Sequence, residues 1–232
     1  MWLTGGVSRT SRALNPPQAP RLEDELRELA LGADELGAGA AVEQARIARA
    51  ELAGVRAAGV CLTESRLVDV DLSGARLDGL RLADVAVGRG NLANLVAPEL
   101  SMRRVVVTGA RLTGVQWTRG TITDAMFRDC RIDLATFAGT TFERTTFDGC
   151  LLAHTDFREG LLRSVRFDRC DLTEADLTGV RIDRCELRGC TLDGLAGVER
   201  LRGAAMPWTD LVGNAGLFAT ALGIRVLEAD EH

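Results

Sequence analysis

The chain has 232 residues, 28 basic and 33 acidic side chains, a net charge of −5 and 46% hydrophobic residues. That apolar content excludes a wholly disordered chain. Six cysteines are too sparse for a disulfide-stapled miniature, and no run of 18 apolar residues is present to cross a membrane as a helix. Every basic residue is arginine, which points to GC-rich coding; the net charge has the wrong sign for nucleic-acid binding.

Residues 1–20 contain Pro16, Pro17 and Pro20 and no apolar run of signal-peptide length, so a disordered tail and a cytoplasmic protein are expected. Residues 21–39 are expected as an N-terminal cap, with Leu22, Leu26 and Leu29 at helical spacing. Residues 40–58 have two readings. They form an alanine-rich helix by propensity, or they open the repeat that dominates the rest of the chain.

That repeat has a period of five. Positions ending in 2 and 7, from Val42 to Leu192, form one unbroken series of 31 centres; 29 are large and apolar, and only Ala57 and Ala97 depart. Two residues before each centre lies a mostly small or β-branched residue. A helical period of 3.6 would smear these positions around a cylinder, and a long strand would put alternate centres on opposite faces. Residues two apart do face the same way in an extended segment. Each unit is therefore one short side followed by a corner, and glycines such as Gly74, Gly114 and Gly149 fall at that corner. Cys130, Cys150, Cys170 and Cys190 are each 20 apart, as are Phe127, Phe147 and Phe167, and Phe137 and Phe157. Twenty residues per coil means four sides.

Segments such as Ala175-Asp176-Leu177-Thr178-Gly179 and Ala75-Arg76-Leu77-Asp78-Gly79 resemble the A(D/N)LXX signature of the pentapeptide-repeat proteins. The resemblance implies an all-β fold, a right-handed quadrilateral β-helix over residues 40–197 with short terminal helices as caps. Its core would hold Leu72, Leu92, Leu112, Trp117, Phe127, Phe137, Phe142, Phe147, Phe157 and Phe167 with the four-cysteine ladder. Residues 198–232 are expected as the C-terminal cap, with a helix over about 209–222, Thr209 as its N-cap, Gly223 as its end and a short strand at Ile224-Arg225-Val226. Leu211, Phe218 and Leu222 on this helix read as a lid over the last coil; the resemblance to the quinolone-resistance branch implies instead that they join two copies.

No catalytic, metal or cofactor site is expected. A straight line of thiols cannot converge tetrahedrally on zinc, and thiols stacked at about 4.8 Å exceed the usual Cβ separation of a disulfide. His154 sits at a corner without a nucleophile motif, and Gly37 and Gly39 do not complete a phosphate-binding fingerprint. Ala86, Val106 and Met126 form an outward apolar stripe, which reads as chance exposure, cover by a terminal segment, or a partner patch. Within the family it resembles, the best-known role is DNA mimicry on a type II topoisomerase, usually gyrase, which needs a dense negative surface. Residues 40–192 hold 21 arginines and 21 acidic residues. Taken stripe by stripe no side gathers the acids, apart from Asp156, Asp171, Glu174 and Asp176. The expected function is a non-catalytic scaffold docking an unidentified protein, with no direct nucleic-acid or membrane partner. The alternative is a gyrase regulator or protector.

Overall fold

The backbone bends at the same place in every unit. In the computed structural model, which describes residues 13–225, each residue two places after a centre, from Gln44 to Gly194, has a positive φ between 47° and 73°, and so has Gly39, one unit before the first of them. With Gly39 the series holds 32 residues, of which 12 are glycine and 20 are not. The left-handed region costs a residue with a Cβ about 1–2 kcal/mol, so most corners are held against a local preference by the coil around them. Leu134 is the least suited, at φ 60 and 58% exposed. Leu134→Gly is expected to raise stability by about 1 kcal/mol, part of the backbone relief being offset by glycine's freedom in the unfolded chain. A lower denaturant midpoint would reverse that expectation.

Four such bends close a coil. Strands β1 (Arg27–Leu29), β2 (Ala41–Glu43), β3 (Ala45–Ala48) and β4 (Arg56–Ala58) open the fold. Then come β5 (Cys61–Val68), β6 (Arg76–Asp78), β7 (Arg81–Gly88), β8 (Ser101–Thr108), β9 (Thr121–Arg128), β10 (Thr141–Asp148), β11 (Leu161–Asp168) and β12 (Arg181–Arg188). The eight-residue strands each cover two sides: side A, with centres such as Leu82 and Phe142, and side B, with centres such as Phe127 and Phe147. Side C carries Leu72, Leu112 and Leu172, and side D carries Leu77, Trp117 and Phe157. All pairing is parallel, and from β2 to the bridge Asp176↔Ala196 each residue faces the one 20 places further on, as in Phe127↔Phe147↔Phe167 and Asp71↔Asn91↔Arg111; the last bridge, Glu186↔Ala205, is one residue shorter. The sequence period and the structural coil therefore coincide. The resulting architecture is an all-β, right-handed solenoid capped by short helices.

The bore keeps its cross-section by exchanging volume between the two inward positions. From Phe127 to Phe167 six of the centres are phenylalanine, and the residues two before them are the smaller Ala125, Ala135, Thr140, Thr145, Thr155 and Val165. Towards the N-terminal end the centres are mainly leucine and valine, and Leu80, Leu95 and Leu100 fill the second position, each buried. All ten predicted core centres are buried. Ala97 lies one coil below Trp117 on side D and is fully buried. Ala97→Phe is expected to cost about 1–3 kcal/mol by overpacking, read as a lower denaturant midpoint; an unchanged midpoint would undo the stacking of those two residues.

The ends differ from expectation. Residues 40–58 are coils, with β2, β3 and β4 in register with β5 and β6. Residues 21–31 contain no helix; β1 pairs with β3 instead. Leu31 and Leu36 close the bore beneath it. An open sheet edge leaves unpaired backbone groups, and a strand satisfies them where a helix would not. Residues 13–20 carry no helix or strand and are tied to the solenoid at Gln18, and residues 1–12 fall outside the described region. At the other end a 3-10 turn (Val198–Leu201) leads to α1 (Trp208–Gly213) and α2 (Ala215–Ala221). The single helix expected over 209–222 is broken because Gly213 and Asn214 are poor helix formers. Pro207, not Thr209, precedes its first turn. Gly223, at φ 73, does end the second helix. Ile224 and Arg225 form no strand, and Val226 lies outside the described residues.

Candidate binding surfaces

The cysteine ladder is packing. All six cysteines are free thiols. Cys130, Cys150, Cys170 and Cys190 point inward, and each donates to a carbonyl 23 residues earlier: Val107, Phe127, Phe147 and Phe167 at 3.4–3.5 Å. Thr140 and Thr155 make the same bond to Trp117 and Ile132, so the thiols occupy a slot for a small side chain with one donor. Burial pushes the Cys185 thiol up to about 12. A hydrogen bond with Cys150, and then burial, hold the Cys130 thiol far above its ordinary range. Neither Cys185 nor Cys130 is a ready nucleophile. Among the described residues no group of three or more His, Cys, Asp or Glu side chains is placed to hold a metal ion.

The outside is built from coil-to-coil ion pairs 20 residues apart: Asp69 with Arg89 at 3.0 Å, Asp84 with Arg104 at 2.6 Å, Asp124 with Arg144 at 2.8 Å, Arg166 with Glu186 at 3.1 Å. Two of these stand on the corner between sides A and B, where Asp84 and Asp124 are buried. The N-terminal arm covers that corner: the backbone N–H of Arg21 donates to Asp84 at 2.9 Å, and that of Gln18 donates to Asp124 at 3.2 Å. Arg104, with a smaller contribution from the Arg21 N–H, holds Asp84 below the ordinary carboxylate value. Burial opposes ionisation of Asp124, but the hydrogen bonds from Arg144 and Gln18 outweigh it and hold that carboxyl low as well. Ala86, Val106 and Met126 stack on side B beside this corner and are half-buried.

Sides C and D of the last three coils carry the opposite character to sides A and B. They present Asp156, Glu159, Asp171, Glu174, Asp176 and Asp193 against one guanidinium, Arg158. Arg158 reaches Asp156 at 2.8 Å and Asp176 at 3.6 Å. Burial opposes ionisation of Asp156, yet its hydrogen bond from Arg158 holds the carboxyl below its ordinary value. His154, at the corner, lies 3.2 Å from Glu174. Asp171 accepts from the Thr173 N–H and hydroxyl at 3.0 and 2.6 Å. On the same coils, sides A and B carry seven arginines against five acids over residues 141–188. The four acids predicted as a patch thus come together, and Glu159 and Asp193 join them. Stripe-by-stripe counting missed those two because the acids are divided between adjacent sides.

The C-terminal cap leaves an apolar groove of about 330 Å³, lined by Val198, Leu201, Met206, Leu211, Phe218 and Leu222 among others. Phe218 packs on the last coil. Leu211 and Leu222 are exposed, as are Trp208, Val212 and Ile224.

Residues 120–196 match a family described as a pentapeptide repeat region, and the same five-residue geometry runs without a break from Gly39 to Gly194. The chain has the pentapeptide-repeat fold, and its residues 120–196 carry the family's repeat region. No curated protein matches it. Among solved structures, the solenoid is similar to HetL, a pentapeptide-repeat protein involved in heterocyst differentiation regulation from the cyanobacterium Nostoc sp. strain PCC 7120. That similarity is at 16% identity, covering 74% of this chain and 91% of HetL, with a TM-score of 0.39. It is similar to a trypsin-treated form of QnrB1, a plasmid-mediated fluoroquinolone resistance protein, at 14% identity, 88% and 100% coverage and a TM-score of 0.30. Rfr23 from the cyanobacterium Cyanothece 51142 follows at 10% identity, 74% and 86% coverage and a TM-score of 0.25. Among the described residues no helix of the solenoid is long and apolar enough to cross a membrane.

Proposed function

We propose that the protein is a non-catalytic binding solenoid that docks a basic protein surface on sides C and D of its last three coils. The observation that carries this reading is the six-to-one excess of carboxylates there, on a backbone hydrogen-bonded from coil to coil. Charges fixed on such a frame attract a complementary surface without paying to be ordered on contact. The test compares the protein with its Asp171→Asn, Glu174→Gln, Asp176→Asn variant as bait for a GC-rich bacterial lysate, at low and high salt. A partner retained by the parent, lost by the variant and released by salt supports the reading. Identical capture by both overturns it.

A DNA-mimicking regulator or protector of gyrase is the second reading, and the same face favours it. Three coils span about 14 Å. A net charge of about −5 on that face is roughly one per 3 Å, against about one per 1.7 Å of duplex DNA. The face thus imitates a short stretch of duplex at reduced density, while the remaining coils do not. Supercoiling by gyrase, with and without the protein and with and without a quinolone, decides it. No effect at micromolar protein removes gyrase and leaves the first reading standing.

The exposed apolar cap fits a second copy of itself. Sedimentation showing dimers that Leu222→Asp disperses supports this; monomers at tens of micromolar remove it.

A further inference from the structure

The arm follows the solenoid at a fixed step. Gln18 sits at the level of Asp124 and Arg21 at the level of Asp84, so three residues of arm cover two coils of solenoid. Two coils rise about 9.6 Å. Three residues of polyproline II, one full turn, rise about 9.3 Å. The two lattices agree to a few per cent, and the arm runs opposite to the order of the coils. Its sequence suits the step. Pro16, Pro17 and Pro20 fall between the residues that must donate, while Asn15, Gln18 and Arg21 keep their N–H groups. The corner suits it too: acceptors stand on alternate coils, at Asp84 and Asp124, and Arg104 and Arg144 on the intervening coils hold both oxygens of each carboxylate. Two coils beyond Asp124 the series reaches Ser164, whose hydroxyl is buried and has no partner among the described residues. Three residues before Gln18 is Asn15.

We propose that this corner is a recognition strip for a polyproline-II peptide, read through one backbone N–H per turn, with the chain's own residues 13–24 as its ligand held in cis and Ser164 as its third rung. The ligand class is an extended, proline-rich segment with a non-proline residue at every third place. The strip is independent of the acidic face: it lies at the opposite corner and recognises backbone donors, not charge.

The direct test is hydrogen exchange of the unaltered protein, resolved by residue. The amides of Asn15, Gln18 and Arg21 are expected to exchange at least about tenfold more slowly than that of Ala19. Equal rates overturn the proposal. Protection lost on dilution would put the arm of a second copy in the strip and overturn its placement in cis. A trans experiment adds a labelled peptide of residues 13–24 to the full-length Gln18→Pro, Arg21→Pro variant, whose own arm has lost both donors. Saturable binding is expected, at least about tenfold tighter than to the parent, in which the resident arm competes. A peptide with Ala19→Pro should bind as well as the parent peptide, and one with Gln18→Pro and Arg21→Pro should not. Equal binding of those two peptides, or no binding by the variant protein, overturns the reading. Should the variant fail to fold, the exchange measurement on the parent still decides.

Discussion

Phe147→Ala is expected to destabilise the protein by about 3–5 kcal/mol, the usual range for deleting a buried aromatic ring. Its ring is fully buried and stacks between Phe127, 4.9 Å away at 9°, and Phe167, 5.1 Å away at 5°. Phe142 on the neighbouring side A and Phe157 on the opposite side D meet it at an angle. A cavity costs most where the walls cannot collapse into it. Here each wall is a coil hydrogen-bonded above and below in a 20-residue register, so little relaxation is available and the upper part of the range applies. Because a solenoid is stabilised by nearest-neighbour contacts, the same deletion weakens the coupling between the coils above and below. The measurement is a denaturant titration followed by circular dichroism. A midpoint equal to that of the parent would mean that the ring does not fill the bore.

The bore was legible because its rule is local and repeated. A large residue at every fifth place admits one geometry, and cysteines and phenylalanines 20 apart set its circumference. Three other features were not legible, each for a physical reason. Leu22, Leu26 and Leu29 have helical spacing, but an exposed sheet edge competes for the same segment, and the pairing of β1 with β3 wins. Pro16, Pro17 and Pro20 read as disorder because proline removes donors and resists helix and sheet. The same residues favour the one extended form whose turn matches two coils. The ion-pair ladders left a signal that the five-residue reading passed over: acid and base at the same place in successive coils, as in Asp69 and Arg89, Asp84 and Arg104, Asp124 and Arg144. The acidic face needed a further step, since its residues are gathered only when sides C and D are summed over the last three coils.

Asp124→Ala is expected to cost about 2–3 kcal/mol and to free the arm. Its carboxylate, with only 5% of the side chain exposed, accepts Nε and Nη2 of Arg144 at 2.8 and 3.0 Å and the Gln18 N–H at 3.2 Å. Removing one partner of a fully buried ion pair typically costs about 3–5 kcal/mol. Arg144 keeps Glu143 as a partner and some contact with water, which brings the figure down. Asp124→Asn separates the two roles. It keeps an oxygen for Gln18 and loses the charge facing Arg144, so the arm should stay protected while stability falls. Acid should act as the substitution does. Asp84 and Asp124 have folded-state values held below the ordinary 3.8. Their contribution is therefore complete above the unfolded-state value and is lost as pH falls through the depressed folded values. Stability should be level from neutral pH to about pH 5 and fall below about pH 4. The fall should be shallower in the Asp84→Asn, Asp124→Asn double variant, which has no such carboxylates to protonate. Parallel acid slopes in parent and double variant would show that the ladder adds nothing to the fold. The arm would then rest on its backbone hydrogen bonds alone.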